Sequence, residues 1–259
     1  MYQSPAMDTL HCLENSVLRS VKELMKYILF RNGVFLNPNP YVFIFANSKY
    51  IDENSKTILP DESCSDAHLA SNVPDIEIMY VPYCASATPR KLPPGKGALT
   101  FLCALLRPDS KGTVRLGSVD PCERPICDIA YLTDARDYTP FRKVVRLGIA
   151  MAKKMRDDGY PMSDYAVPAS DKDEDLDKFI REGVQTVFHY SSTCRMAPET
   201  EGGVVDDELR VYGIQGLRVA DASIFPTVPA AHIQAPVAMV ASRCAEFLAR
   251  SDLDLLVHD

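Results

Sequence analysis

Hydrophobic residues recur every three or four positions in residues 14–30 and again in residues 140–155. This spacing is the period of an amphipathic helix, so both stretches predict helices. Gly33 and the Asn-Pro-Asn-Pro sequence that follows it end the first helix. We expect Thr139 to cap the second helix and Pro140 to occupy its first turn, where a missing N–H costs little.

Period-two alternation and short β-branched runs predict strands. Residues 41–45 are short, aromatic and β-branched, and in residues 73–80 apolar positions alternate with polar ones, as a strand with one buried face requires. Residues 97–106 and 113–119 are two further candidates, joined by a turn-like sequence at 107–112, so that they predict a hairpin. Residues 128–132 are a possible fourth strand.

Two polar stretches complete the pattern. Residues 48–72 are rich in Asn, Asp, Ser and Pro, which indicates a surface loop or a place where something larger was lost. The acidic run 171–177 predicts the solvated start of a helix that continues through Ile180. Strands followed by helices, without strict alternation, favour an α+β fold with a mostly antiparallel sheet covered by helices on one face.

Composition excludes several classes of function. The 259 residues are 46% hydrophobic and 24% charged, with a net charge of −7 and a pI near 5.3. No cluster of Lys and Arg suits nucleic acid, and no apolar run reaches the roughly 20 residues that cross a bilayer. The first residues also lack the pattern of a signal peptide. We therefore predict a cytoplasmic protein that binds neither nucleic acid nor membrane.

Eight cysteines are too few for a disulfide framework in a chain of this length. Cys122 and Cys127 lie five positions apart, but no second pair exists to complete a zinc site. We expect reduced, mostly buried thiols and no metal.

Four ordered segments in the last quarter carry the candidate chemistry. They are VFHYSSTCRM at 187–196, GVVD at 203–206 followed by LRVYG at 209–213, GLRVADASIFP at 216–226, and AHIQAP at 231–236 before an apolar helix to about residue 248. This succession resembles the C-terminal signature of the glucose-methanol-choline (GMC) oxidoreductases. The resemblance extends back through segments at 74–77, 106–114 and 121–131, and covers roughly residues 15–250.

The resemblance implies a division into three parts. Residues 1–72 form an N-terminal helix and loop region, residues 73–200 the substrate-binding domain, and residues 201–259 a segment that packs into the flavin domain in this family. The fold is therefore expected to end in a C-terminal remnant of the flavin-binding domain.

The resemblance also implies a set of site residues. His189 takes the position of the catalytic base, and His232 that of its partner, which is His or Asn in relatives. Asp221 and Ala222 meet the phosphate or ribityl region of the flavin, and Ile233 with Gln234 touches the isoalloxazine edge through backbone groups. Asp221 could instead cap a turn, and Ile233 could be an ordinary apolar side chain.

One local departure concerns Ser192 and Ala197, which stand where relatives often have glycine. Ser192 is therefore expected to tighten or reshape the loop that follows His189. His11, His68 and His258 lie in polar or terminal segments and are expected to have no role.

The chemistry explains why two histidines are needed. Oxidation of an alcohol by hydride transfer to a flavin requires a base within hydrogen-bond reach of the hydroxyl. Imidazole can take that proton near neutral pH. A second group on the opposite side then steadies the developing alkoxide.

The resemblance implies FAD as the cofactor, but the sequence does not contain the glycine loop that binds its ADP part. The nearest candidate, Gly95-Lys96-Gly97, has Thr100 in place of the third glycine and no preceding strand, so we expect a loop there. We therefore expect a truncated enzyme, or one completed by a separate FAD-domain chain, with a small-molecule alcohol as substrate. A homodimer, a flavin-independent acid/base enzyme such as a cyclase, dehydratase or isomerase, and a non-catalytic remnant remain alternatives.

Overall fold

The computed structural model describes residues 1–14, 16–36, 42–55, 59, 69, 72–85 and 92–257, with the backbone alone for residues 251–257. It divides into two compact units. The first comprises Met1–Leu105 and Ala135–Gln185, and the second comprises Leu106–Asp134 and Thr186–Asp259. These units do not coincide with the predicted boundaries at residues 73 and 201, and the three-part division stays a prediction.

The first unit is built on a five-stranded antiparallel sheet, which confirms the predicted α+β class. Its strand order is β2-β3-β4-β1-β7. The strands are β1 (Tyr2–Pro5), β2 (Val42–Ala46), β3 (Ile76–Val81), β4 (Lys96–Leu105) and β7 (Ser163–Asp164). The α-helices in the described residues are α1 (His11–Glu14), α2 (Val17–Phe30), α3 (Tyr138–Asp157), α4 (Asp173–Gly183) and α5 (Gln234–Val257).

Helix α3 covers one face of this sheet, and its buried side chains form the core with the strands. Val144 packs against Ile76 and Ile78 of β3, while Ala152 packs with Tyr2 and Leu99. The apolar period of α3 therefore faces the alternate positions of β3 and β4, as predicted.

The alternation in β3 was expected to mark a single buried face, and this was wrong. Met79 and Glu77, on the face away from α3, are as buried as Ile78. Helix α1 lies beside the start of β4, where the Ala98 amide donates to Nδ1 of His11 at 3.3 Å. A strand covered on both sides tolerates polar side chains only where they find partners, so polarity alone did not reveal its environment.

Helix α3 begins two residues earlier than predicted. A short 3-10 turn, Ala135–Asp137, leads directly into it, so the N-cap position is Asp137 and not Thr139. Pro140 still lies in the first turn, where its missing N–H costs no helical hydrogen bond. The acidic run begins α4 as expected, and Arg142 of α3 holds Asp177 of α4 through two hydrogen bonds of 2.6 Å.

Helix α2 confirms the first predicted helix but lies with its apolar side outward. Val17 and Leu18 are both 81% exposed and Ile28 is 61% exposed, whereas Glu23 is buried and pairs with Lys26 at 2.6 Å. We call this surface the outward apolar face of α2; it consists of Val17, Leu18, Val21, Leu24, Met25, Ile28, Leu29 and Phe30.

The predicted hairpin between residues 97–106 and 113–119 does not form. Strand β4 pairs with β1 and β3, whereas β5 (Thr113–Arg115) pairs with β6 (Ile126–Asp128) in the second unit. The expected strand at 128–132 is also wrong, since Ala130 and Leu132 have φ of 49° and 58° and break the extended backbone.

Two further local predictions need correction. Gly97 lies inside β4 and not in a loop, and a Cβ there would stand 2.0 Å from Oγ1 of Thr9. The expectation of mostly buried thiols holds only in part. Among the described cysteines Cys12 and Cys244 are buried, Cys122 and Cys127 are exposed, and the remaining three are half-buried, namely Cys84, Cys103 and Cys194.

Residues 48–72, expected as a surface loop, lie largely outside the described residues. The described part is anchored, since Ile51 is buried and its carbonyl accepts from Nζ of Lys143 at 2.8 Å. His68 and His258 also lie outside the described residues.

Two other features are absent from the described residues. None of the helices placed there combines the length and the apolar character that a bilayer span needs. Within the same residues, no group of three or more His, Cys, Asp and Glu side chains is arranged to hold a metal ion.

Removal of a core side chain should show how far α4 supports the first unit. Leu176 of α4 is fully buried, so Leu176→Ala should lower the free energy of unfolding by about 2–5 kcal/mol through lost burial and a residual cavity. Urea denaturation followed by circular dichroism measures this. Val119→Ala, at a fully exposed position, is the control and should change little. Equal effects in both variants would contradict the packing described.

Candidate active site

The segment that carries His189 is fixed by backbone hydrogen bonds to a short turn about 30 residues further along the chain. The amides of Ser192, Cys194 and Met196 donate to the carbonyls of Ala222, Ser223 and Ile224 at 3.2, 2.9 and 2.8 Å. These three carbonyls belong to the 3-10 turn Ala222–Ile224. The two segments are therefore held side by side without a regular strand.

A small hydrophobic core lies beneath both segments. Val205, Leu209, Ile224, Phe225 and Cys244 are buried there, and Met196 and Ile233 pack against them. Ile233 directly precedes α5, and its carbonyl accepts the Val237 amide at 2.9 Å, which begins the helix. His232 is thereby held at the start of α5, on the same core that supports the segment after His189.

The two histidines meet in the second unit, as the sequence predicted. Their ring centroids lie 5.1 Å apart and the ring planes are perpendicular. The side chain of His189 is half-buried, and that of His232 is exposed. Two imidazoles 43 positions apart in the sequence thus form one site that a small molecule can reach from solvent.

The surroundings of His189 favour its neutral form. Partial burial is the larger cause that lowers the pKa of His189 from its ordinary value, and the neighbouring His232 is the second. A neutral imidazole at neutral pH can accept a proton, which is the property that a base needs.

Asp221 and Ala222 serve the local structure of the site. One carboxylate oxygen of Asp221 accepts the Ser223 amide at 2.8 Å, so this residue caps the turn, as the alternative interpretation held. Hydrogen bonds from Ser223 lower the pKa of the Asp221 carboxyl, which is exposed. The Ala222 carbonyl is already used by Ser192.

Ile233 and Gln234 occupy different environments. The Ile233 side chain packs on the core, which agrees with its reading as an ordinary apolar residue. Gln234 is the exposed first residue of α5. Its amide belongs to the helix start, where N–H groups have no carbonyl partner within the helix.

Backbone conformation near His189 was not predicted in full. Ser192 has a φ of 70° and Phe188 a φ of 64°, both in the left-handed region that favours glycine. For Ser192, the presence of serine where relatives often have glycine indicated an unusual backbone conformation. No sequence signal marked Phe188, nor Thr186, whose Oγ1 accepts the Phe188 amide at 2.7 Å.

Comparison with known proteins agrees with the family resemblance of the sequence motifs. Residues 108–241 match the sequence model of a family described as GMC oxidoreductase. The chain is 30% identical over 174 residues to an oxygen-dependent choline dehydrogenase of Chromohalobacter salexigens, covering 67% of this chain and 31% of that protein. It is 33% identical over 212 residues to dehydrogenase pkfF of Emericella nidulans, covering 75% and 34%.

A solved structure shows the same fold over almost the whole chain. An FAD-dependent oxidoreductase from Chaetomium thermophilum aligns with 97% of this chain and 46% of its own, with a TM-score of 0.77 and 20% identity. The chain thus spans about a third of the length of the curated relatives it matches and just under half of this structural neighbour.

The pKa of His189 offers a direct test of the site geometry. In His232→Asn the electrostatic effect of the neighbouring imidazole is removed, so the His189 midpoint in an NMR titration should rise, while burial keeps it below about 6.5. Because the pKa is lower in the folded state, the stability from neutral His189 is complete above about pH 6.5 and is lost as the pH falls. His11→Asn, in the first unit, is the control. An unchanged His189 midpoint in His232→Asn would refute the coupling.

Proposed function

Because the chain belongs to the GMC oxidoreductase family, we propose that it carries the proton-transfer site of an FAD-dependent alcohol oxidase or dehydrogenase. The proposal is carried by the pair of perpendicular imidazoles with centroids 5.1 Å apart. The relatives, which include a choline dehydrogenase, support a small alcohol as the substrate class.

His189 is the proposed base. Its partial burial and its lowered pKa keep the ring neutral at neutral pH, so a ring nitrogen is available to accept the hydroxyl proton of the substrate. His232 approaches from the side and donates a hydrogen bond to the same oxygen as negative charge develops there. Protonation of His189 then places a cation beside that oxygen, where it stabilises the developing negative charge.

The residues near His232 suit part of a flavin. Gln234 and Ala235 are the first residues of α5, whose outward amides fit a carbonyl or anionic oxygen of the isoalloxazine edge. The turn at Asp221 and Ala222 is the proposed contact for the ribityl or phosphate region. When bound, FAD supplies the acceptor for the hydride that leaves the alcohol carbon.

The ADP portion of FAD does not find a comparable site. The sequence lacks the G-x-G-x-x-G loop that brings the backbone close to a pyrophosphate. We therefore propose that a flavin-binding region outside these 259 residues completes the enzyme, either on a longer chain or on a separate polypeptide.

Flavin reduction by an alcohol tests the proposal. The chain is mixed anaerobically with FAD and then with benzyl alcohol or choline, and the visible spectrum of the flavin is followed. His189→Ala should slow alcohol-dependent bleaching by about 10²–10⁴-fold, because the base is lost. His11→Ala is the matched histidine control and should leave the rate unchanged. The absence of bound flavin and of alcohol-dependent bleaching under all conditions would exclude this activity for the chain alone.

A second candidate function is favoured by one observation, namely that the histidine pair is complete although the chain spans only about a third of its curated relatives. Two imidazoles can catalyse dehydration, isomerisation or cyclisation of a small metabolite without electron transfer.

Flavin-free protein distinguishes the two functions. Acid/base chemistry predicts turnover that persists after flavin is removed and disappears in His189→Ala. Turnover that survives this substitution would exclude the mechanism. Absence of both activities would leave a non-catalytic remnant of the family.

A further inference from the structure

Phe188, the residue directly before His189, has a backbone conformation that its side chain does not explain. Its φ of 64° lies in the left-handed region, which is a clear outlier for a bulky residue. Its ring is 75% exposed, so packing of the ring does not hold it there. Strained residues that persist beside a reactive group are often held for the sake of that group.

A hydrogen bond from the preceding residues accounts for the conformation. Oγ1 of Thr186 accepts the Phe188 amide at 2.7 Å, two positions along the chain. Such a side-chain turn fixes the direction of the amide and therefore of the peptide plane that leads into the next residue. The direction in which His189 leaves the backbone thus depends on the Thr186 hydroxyl.

The far side of His189 is fixed independently. Ser192, also left-handed with a φ of 70°, donates its amide to the Ala222 carbonyl at 3.2 Å. His232 is held by neither of these bonds, because it precedes Ile233 and the start of α5. When only the Thr186 side chain is changed, a loss of contact between the two rings can therefore be attributed to a movement of His189.

We propose that Thr186 is a positioning residue, whose hydroxyl holds Phe188 in its left-handed conformation and thereby directs the His189 ring towards His232. The inference rests on the proposed function for its catalytic meaning, since a base must point at the substrate oxygen. The ring geometry itself can be measured without flavin or turnover.

Matched substitutions at one position test the role of the hydroxyl. Thr186→Val keeps the shape of the side chain but removes the acceptor, whereas Thr186→Ser keeps the oxygen. In Thr186→Val we expect loss of the NMR cross-peaks between the two rings and a rise in the His189 titration midpoint, as His232 moves out of reach. Thr186→Ser should retain both wild-type signals. Thr186→Ala repeats the comparison with less bulk.

The opposite result is equally clear. Inter-ring cross-peaks and a His189 midpoint that are the same in Thr186→Val, Thr186→Ala and the wild type would overturn the proposal, even if the melting temperature fell. A purely structural role would show that pattern, since it changes stability and not the ring contact. If these signals are unchanged while His189→Ala abolishes alcohol oxidation, the proposed function stands and the role of Thr186 does not. If no alcohol is oxidised, the ring signals still decide the role of Thr186.

Discussion

Three backbone hydrogen bonds carry the geometry of the site, because they join the segment after His189 to the turn that precedes His232. The amides of Ser192, Cys194 and Met196 use the carbonyls of a 3-10 turn, an arrangement in which neither segment is a strand of a sheet. The core formed by Val205 and Ile224 packs against Met196, the last of these three donors. The relative position of the two rings depends on this junction, together with the start of α5 that holds His232.

The two histidines of the pair differ in their exposure to solvent. His189 is partly withdrawn from water and His232 is exposed, and this partial burial disfavours a charge on His189. The neighbouring His232 also disfavours a proton on His189. Both effects lower the pKa of His189 and favour its neutral form, which is the form that the proposed role as a base requires.

The sequence predicted local elements better than long-range pairing. The helices α2 and α3 were found because their apolar residues repeat over several turns, a signal that needs no partner. The hairpin after β4 was wrong because a turn-like sequence at 107–112 reveals a reversal but not which strand pairs with which. Strand β1 was not predicted, since four residues ending in Pro5 carry too short a pattern.

The site was predicted by a different kind of information. The order of four motifs indicated that His189 and His232 would meet, whereas composition and period alone would have left both as ordinary side chains. The left-handed conformation of Phe188 could not be predicted in this way, because the φ of this bulky residue depends on a neighbouring hydrogen bond and not on its own identity. The outward orientation of α2 was equally hidden, since a hydrophobic period does not say which side meets the protein. Removal of each of the eight apolar side chains on that face from water would be favourable by roughly 1–2 kcal/mol. Any surface that covered this face of α2 would therefore be bound through the hydrophobic effect.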